Sequence, residues 1–172
     1  MKLNRLISHV LFLLLLALGS ARAAPVDFSL PTLDGGKLSL SQFRGKWVVI
    51  NFWATWCPPC REEIPDLEDF YRAHKDKDAV VLGINFEDVK KSQLKAFVDE
   101  FFISYPILLD PDQEPPLPGM DLSGLPTTYI VSPEGELVAR QVGGITRKVI
   151  EDYIARKEAQ RQAQARHAKP AK

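Results

Sequence analysis

The sequence predicts an α/β fold, a mixed central β-sheet flanked by helices, with an N-terminal β-hairpin. Three observations lead there. Two apolar runs, Trp47-Val-Val-Ile-Asn-Phe-Trp and Ala79-Val-Val-Leu-Gly-Ile-Asn-Phe, read as buried strands. Each precedes a segment with helical apolar spacing, and strand, helix, strand in that order implies a right-handed crossover and parallel pairing. Two later alternating segments flank Pro133-Glu-Gly and form a hairpin.

Taken in order, Val26 to Leu40 alternates around Asp34-Gly35-Gly36, the pattern of a β-hairpin. Ser39 to Arg44 is short and fits a helical turn. After the strand Trp47 to Trp53, a helix is expected from Pro58 to Lys75, with Ile64, Leu67, Phe70 and Tyr71 on its inner face. Pro65 removes one backbone hydrogen bond and predicts a kink. The next helix carries Leu94, Phe97, Val98 and Phe101 on one face. Ile107-Leu-Leu is a short strand, and the segment from Pro111 to Ser123 is rich in proline and acids and reads as a loop. Thr127 to Ser132 and Glu136 to Val142 make the hairpin. Thr146 caps a last helix that should bury Val149, Ile150, Tyr153 and Ile154. Beyond Arg156 almost nothing is apolar except alanine. The domain is therefore expected over residues 24–158, with a mobile polar tail over 159–172.

The N-terminus has the layout of a secretory signal. Lys2 and Arg5 precede an apolar stretch from Val10 to Leu18, too short to span a bilayer comfortably. Ala21-Arg22-Ala23 suits cleavage after Ala23, so residues 1–23 are read as a signal peptide; left uncleaved, the same stretch would be a membrane anchor. Its removal takes three of the 22 basic residues and none of the 22 acidic ones, leaving a net charge of −3. No basic excess points to nucleic acid. Export places the chain where disulfides persist, with the bacterial periplasm the expected compartment.

Both cysteines lie in Asn51-Phe-Trp-Ala-Thr-Trp-Cys57-Pro-Pro-Cys60. Cys57 sits where a helix begins, and Pro58 suits the first helical position. Free N–H groups and the positive end of the helix dipole favour the Cys57 thiolate. Cys60 follows one turn along, close enough to close a disulfide. A dithiol so placed attacks a disulfide with one sulfur and releases the product with the other, so Cys57 is the expected nucleophile and Cys60 the resolving thiol. A zinc site would need about four ligands, and the other candidates, His9, His74 and His167, are scattered. Pro58 and Pro59 stiffen the loop and withhold N–H donors from Cys57, which sets the pair toward reduction. Trp56 is expected to cover the loop and contact partners, whereas Trp53 fits the core equally well. Glu62 and Glu63 read as helix-dipole residues of the first turn.

Trp56-Cys57-Pro58-Pro59-Cys60 after an apolar strand resembles a thioredoxin-fold active site. Asp27-Phe-Ser-Leu-Pro-Thr-Leu-Asp-Gly-Gly-Lys-Leu-Ser-Leu, Phe43-Arg-Gly-Lys and Gly124-Leu-Pro-Thr-Thr-Tyr-Ile-Val are similar to the extracytoplasmic TlpA/ResA-like branch, with an AhpC/TSA-redoxin-like lead-in. The resemblance implies a thioredoxin-like fold and a thiol–disulfide oxidoreductase. It implies a cis proline at Pro126, with the Leu125 backbone pairing with a bound client chain. It also implies an acid after the second buried strand in place of the thioredoxin aspartate, where this chain has Asn51. Glu87 is the preferred proton carrier to Cys60, with Asp88 as helix N-cap; an ungapped match would instead give Asp88 the proton. The implied partners are protein clients with disulfides, such as apocytochromes c or metal-site assembly proteins, and a membrane electron donor of the DsbD or CcdA type. No cofactor is implied, and a monomer is expected. The loop from Pro111 to Met120 departs from the branch.

Two other readings use the same residues. A peroxiredoxin would want Pro and Thr upstream of its cysteine; Thr55 is present but no proline precedes it in this strand. A Cu(I) carrier could use two soft thiolates but lacks a nearby His or Met.

Overall fold

The computed structural model describes residues 25–110 and 120–167. The signal segment, most of the proline-rich loop and the last residues lie outside that range. Strands β1 (Ser29–Pro31) and β2 (Lys37–Ser39) form the expected hairpin. Gly35 and Gly36 supply the positive φ angles, 100° and 84°, that its turn needs. A 3-10 turn, Leu40–Phe43, leads to β3 (Trp47–Trp53). Helix α1 (Pro58–His74), β4 (Ala79–Asn85), α2 (Lys91–Glu100) and β5 (Ile107–Leu109) follow. The chain ends with β6 (Thr127–Val131), β7 (Leu137–Val142) and α3 (Arg147–His167).

The main sheet has the order β5-β4-β3-β6-β7. β3 and β4 run parallel, as do β4 and β5, while β6 pairs antiparallel with both β3 and β7. This is the mixed sheet of a thioredoxin-like fold. Every residue of β3 and β4 is buried, which is why both runs are apolar except at Asn51 and Asn85, whose amides find hydrogen-bond partners. Alternation along β3 splits the core. Trp47, Val49 and Trp53 pack with Ile64, Leu67 and Phe70 of α1, Leu94 of α2 and Ile150 of α3. Val48, Ile50 and Phe52 pack with Phe28 and Leu40 of the N-terminal hairpin and turn. Gly83 of β4 stands opposite Asn51. A Cβ there would come within 2.9 Å of Tyr105 and 3.0 Å of Trp53, so only glycine lets these rings close on the sheet.

α1 stays helical through Pro65. Three local expectations need correction. The N-cap of α2 is Lys90, not Asp88. Phe86 N–H donates to Trp53 O at 2.9 Å and the Glu87 carboxylate reaches back to Thr55, so the chain has not yet entered a helix at Asp88. Val149 is 51% exposed, while Ile150 and Ile154 carry the inner face of α3. That helix also runs past position 158 to His167. Glu158 accepts a hydrogen bond from Trp47 Nε1 at 2.8 Å, and Arg161 bridges Glu158 and Glu134 of the β6–β7 turn. These ties hold the polar end of α3 against the sheet although few of its residues are apolar.

Leu67 of α1 is fully buried. Its replacement by alanine should cost about 3 kcal/mol, whereas Val149→Ala should change stability by less than about 0.5 kcal/mol. Urea unfolding of the two variants checks the contrast.

Candidate active site

The site forms where β3 runs into α1. Cys57 is the N-cap of the helix, in an extended backbone conformation, and Pro58 and Pro59 open its first turn. Cys57 and Cys60 form a disulfide with an S–S distance of 2.06 Å and a Cα–Cα separation of 5.3 Å. Cys57 Sγ accepts the Cys60 backbone N–H at 3.3 Å. Because both preceding helical residues are prolines, this is the first N–H the helix can offer that sulfur. Pro58 and Pro59 are exposed and Trp56 is 66% exposed, yet Cys57 and Cys60 keep only 2% and 1% of their surface. The sulfurs thus lie just beneath an exposed apolar rim. Beside that rim, the Arg61 guanidinium lies 5.1 Å from the Phe101 ring centroid and 5.9 Å from that of Phe97.

The Leu125–Pro126 peptide bond is cis, as the resemblance implied. Pro126 is buried at the start of β6, and its carbonyl accepts the Gly143 N–H at 2.8 Å. Trp53 is a core residue at 1% exposure, stacked at a tilt against Phe97 with ring centroids 5.4 Å apart.

Glu87 holds the loop that leads into Cys57. Its carboxylate accepts from Thr55 N at 2.9 Å, Thr55 Oγ1 at 3.0 Å and Asn85 Nδ2 at 2.8 Å. Asp88 is exposed. A more deeply buried carboxyl on the cysteine helix is Glu63. It does not belong to the first turn, which contains no acid, but lies one turn beyond Cys60 with 4% exposure. Its Oε1 accepts from Asn51 Nδ2 at 2.7 Å and its Oε2 from the Ile145 backbone N–H at 2.9 Å. Burial pushes the Glu63 carboxyl up to about 7. The two hydrogen bonds oppose that rise and the nearby Asp66 carboxylate adds to it. A sequence signal for Glu63 exists. It sits four before Leu67 and seven before Phe70, inside the apolar stripe of α1.

A disulfide at the head of a helix, on a chain with a cis proline before β6 and a buried carboxyl one turn past the second cysteine, defines a thiol–disulfide exchange centre on a thioredoxin-like fold. The sequence profile of the AhpC/TSA family matches residues 21–140. The thioredoxin-like protein YneN of Bacillus subtilis is 42% identical over 130 residues, covering 74% of this chain and 75% of that one. The thiol-disulfide oxidoreductase ResA of the same organism is 34% identical over 128 residues, covering 74% and 70%. Among solved structures, a secreted thiol-disulfide isomerase from Corynebacterium glutamicum superposes with a TM-score of 0.68 at 30% identity, over 74% of this chain and 81% of that one. The chain belongs to the AhpC/TSA family and is a thioredoxin-like thiol–disulfide oxidoreductase.

Glu63 also makes stability depend on pH. Its value in the folded protein, about 7, exceeds the ordinary 4.5, so the folded state holds this proton more tightly than the unfolded chain does. The contribution is fully present below pH 4.5 and is lost as pH rises through about 7. It amounts to roughly 3 kcal/mol at most. Urea midpoints of the oxidised protein should fall across that window and flatten in Glu63→Gln; parallel pH curves for the two proteins would contradict the assignment.

Proposed function

We propose that this protein is an extracytoplasmic disulfide reductase acting on protein clients. The reading is carried by the Cys57–Cys60 pair, one turn apart at the head of α1 and backed by a buried carboxyl. In the reduced enzyme the Cys57 thiolate attacks one sulfur of a client disulfide. A mixed disulfide forms, and the released client thiolate takes a proton from solvent. Glu63, ionised, removes the proton from Cys60, and Cys60 attacks the Cys57 sulfur. The second client sulfur is expelled as a thiolate and takes up the proton held by Glu63, so the client leaves as a dithiol with two electrons gained and the enzyme is left as the disulfide seen here.

Glu87 anchors the loop, and Glu63 carries the proton. Trp56 offers an apolar contact to the client. Leu125 and Pro126 form the edge along which an extended client segment would lie. With two prolines ahead of Cys60, little N–H donation favours the Cys57 thiolate, which sets the couple toward reduction. The signal-like residues 1–23 and the secreted relative support a site of action outside the cytoplasm. A membrane donor of the DsbD or CcdA type would restore the dithiol. Apocytochrome c or a metal-site assembly protein would supply the client disulfide.

The wild-type protein should reduce insulin and a CxxCH peptide disulfide, and Cys57→Ser should lower both to background. Cys60→Ser should accumulate mixed disulfides through Cys57, and mass spectrometry of these adducts names the clients. A reduction potential near that of a strong oxidant such as DsbA, about −120 mV, would overturn the reductant reading. In single-turnover assays the resolution rate should rise with pH through about 7, following ionisation of Glu63. Glu63→Gln should lose that inflection and about 100-fold in rate.

A further inference from the structure

The Asn51 amide lies between two acceptors. Its Nδ2 donates to Glu63 Oε1 at 2.7 Å and to Thr128 Oγ1 at 3.0 Å. Both hydrogens of that nitrogen are therefore committed. Asn51 and Thr128 are directly opposed across the antiparallel β3–β6 pair, and each is 1% exposed. Thr128 follows Pro126 by two residues, so the same short segment carries the expected client edge and the hydroxyl that meets Asn51.

We propose that Thr128 is a positioning residue of the exchange reaction, whose hydroxyl holds the Asn51 amide with its nitrogen toward Glu63. The proposal rests on Glu63 being the proton carrier to Cys60.

An amide has two faces of opposite character. With Nδ2 toward Glu63 it donates to an ionised carboxylate. Turned over, it presents its oxygen, which can meet that carboxyl only as an acceptor from the protonated form. Thr128 Oγ1 gives the second Nδ2 hydrogen an acceptor at a position almost fully closed to solvent. Remove the hydroxyl and the donating orientation leaves a buried N–H unpaired, so the amide is no longer held in it. Donation to the ionised Glu63 weakens, which favours the proton on the carboxyl. The other groups facing Glu63 stay in place. These are the Asp66 carboxylate on α1, the Ile145 N–H before α3 and the buried Tyr105 phenol before β5, held neutral by burial.

The test is the Glu63 titration followed by carboxyl carbon NMR in the oxidised protein without client. Thr128→Val should raise the midpoint by about one pH unit, and Thr128→Ser should keep it within about 0.3 of wild type. In an Asn51→Leu background, Thr128→Val should add no further shift. An unchanged midpoint in folded Thr128→Val overturns the proposal, as does an equal shift in Thr128→Ser. Should Thr128→Val fail to fold, the wild-type spectrum decides. The Asn51 side-chain amide and Thr128 Cβ signals should move with the Glu63 midpoint, and signals indifferent to it refute the link. None of these readouts needs turnover, so loss of the reductase reading would appear in the insulin assay and not here.

Discussion

Glu63 is held at 4% exposure, and a carboxyl taken out of water without donors costs several kcal/mol. The fold meets that demand with Asn51 from β3 and the Ile145 backbone N–H ahead of α3, while Thr128 of β6 completes the Asn51 amide. A second α1 carboxylate, Asp66, accepts the Arg147 N–H at 2.8 Å. Elements distant in sequence are thus fixed against the helix whose head carries the disulfide. The cysteine pair inherits its placement from this knot. Moving α1 along β3 or tilting α3 would strand a buried acid or a buried amide.

A similar device acts lower on α1. Glu68 accepts from the Ser104 backbone N–H and hydroxyl and from Arg72, and these donors outweigh burial and hold its carboxyl below the usual range. Two acids on one helix, both buried, end with opposite protonation tendencies. Glu68 receives an arginine and three hydrogen bonds, whereas Glu63 has only neutral donors and a neighbouring negative charge. The acid under the cysteines is the one free to exchange a proton near neutrality, and the one away from them is a fixed brace.

Strands β3 and β4 are legible in the sequence because burial on both faces demands continuous apolar runs, and the cysteine motif is legible because proline and a helix start are local chemistry. Glu63 is harder to read. Two adjacent acids after Arg61 look like a solvated turn, and only the register of α1 against Asn51, residues apart in the chain, shows that one points inward while Glu62 is exposed. The hydrogen bonds of Glu87 to Thr55 and Asn85 are hidden from sequence for the same reason. Position after a strand is visible in sequence, but which donors claim its oxygens is a tertiary fact. The polar end of α3 is likewise held by Trp47 and Arg161 contacts that no apolar periodicity announces.

The near-complete burial of both sulfurs under Trp56 and the two prolines has a consequence for traffic with the surroundings. A small free thiol meets the same steric cover as a protein does but brings almost no contact area with which to displace it. A macromolecule that docks on the indole can spend association energy to open the way. Burial of this kind favours exchange with a docking protein over exchange with a small free thiol.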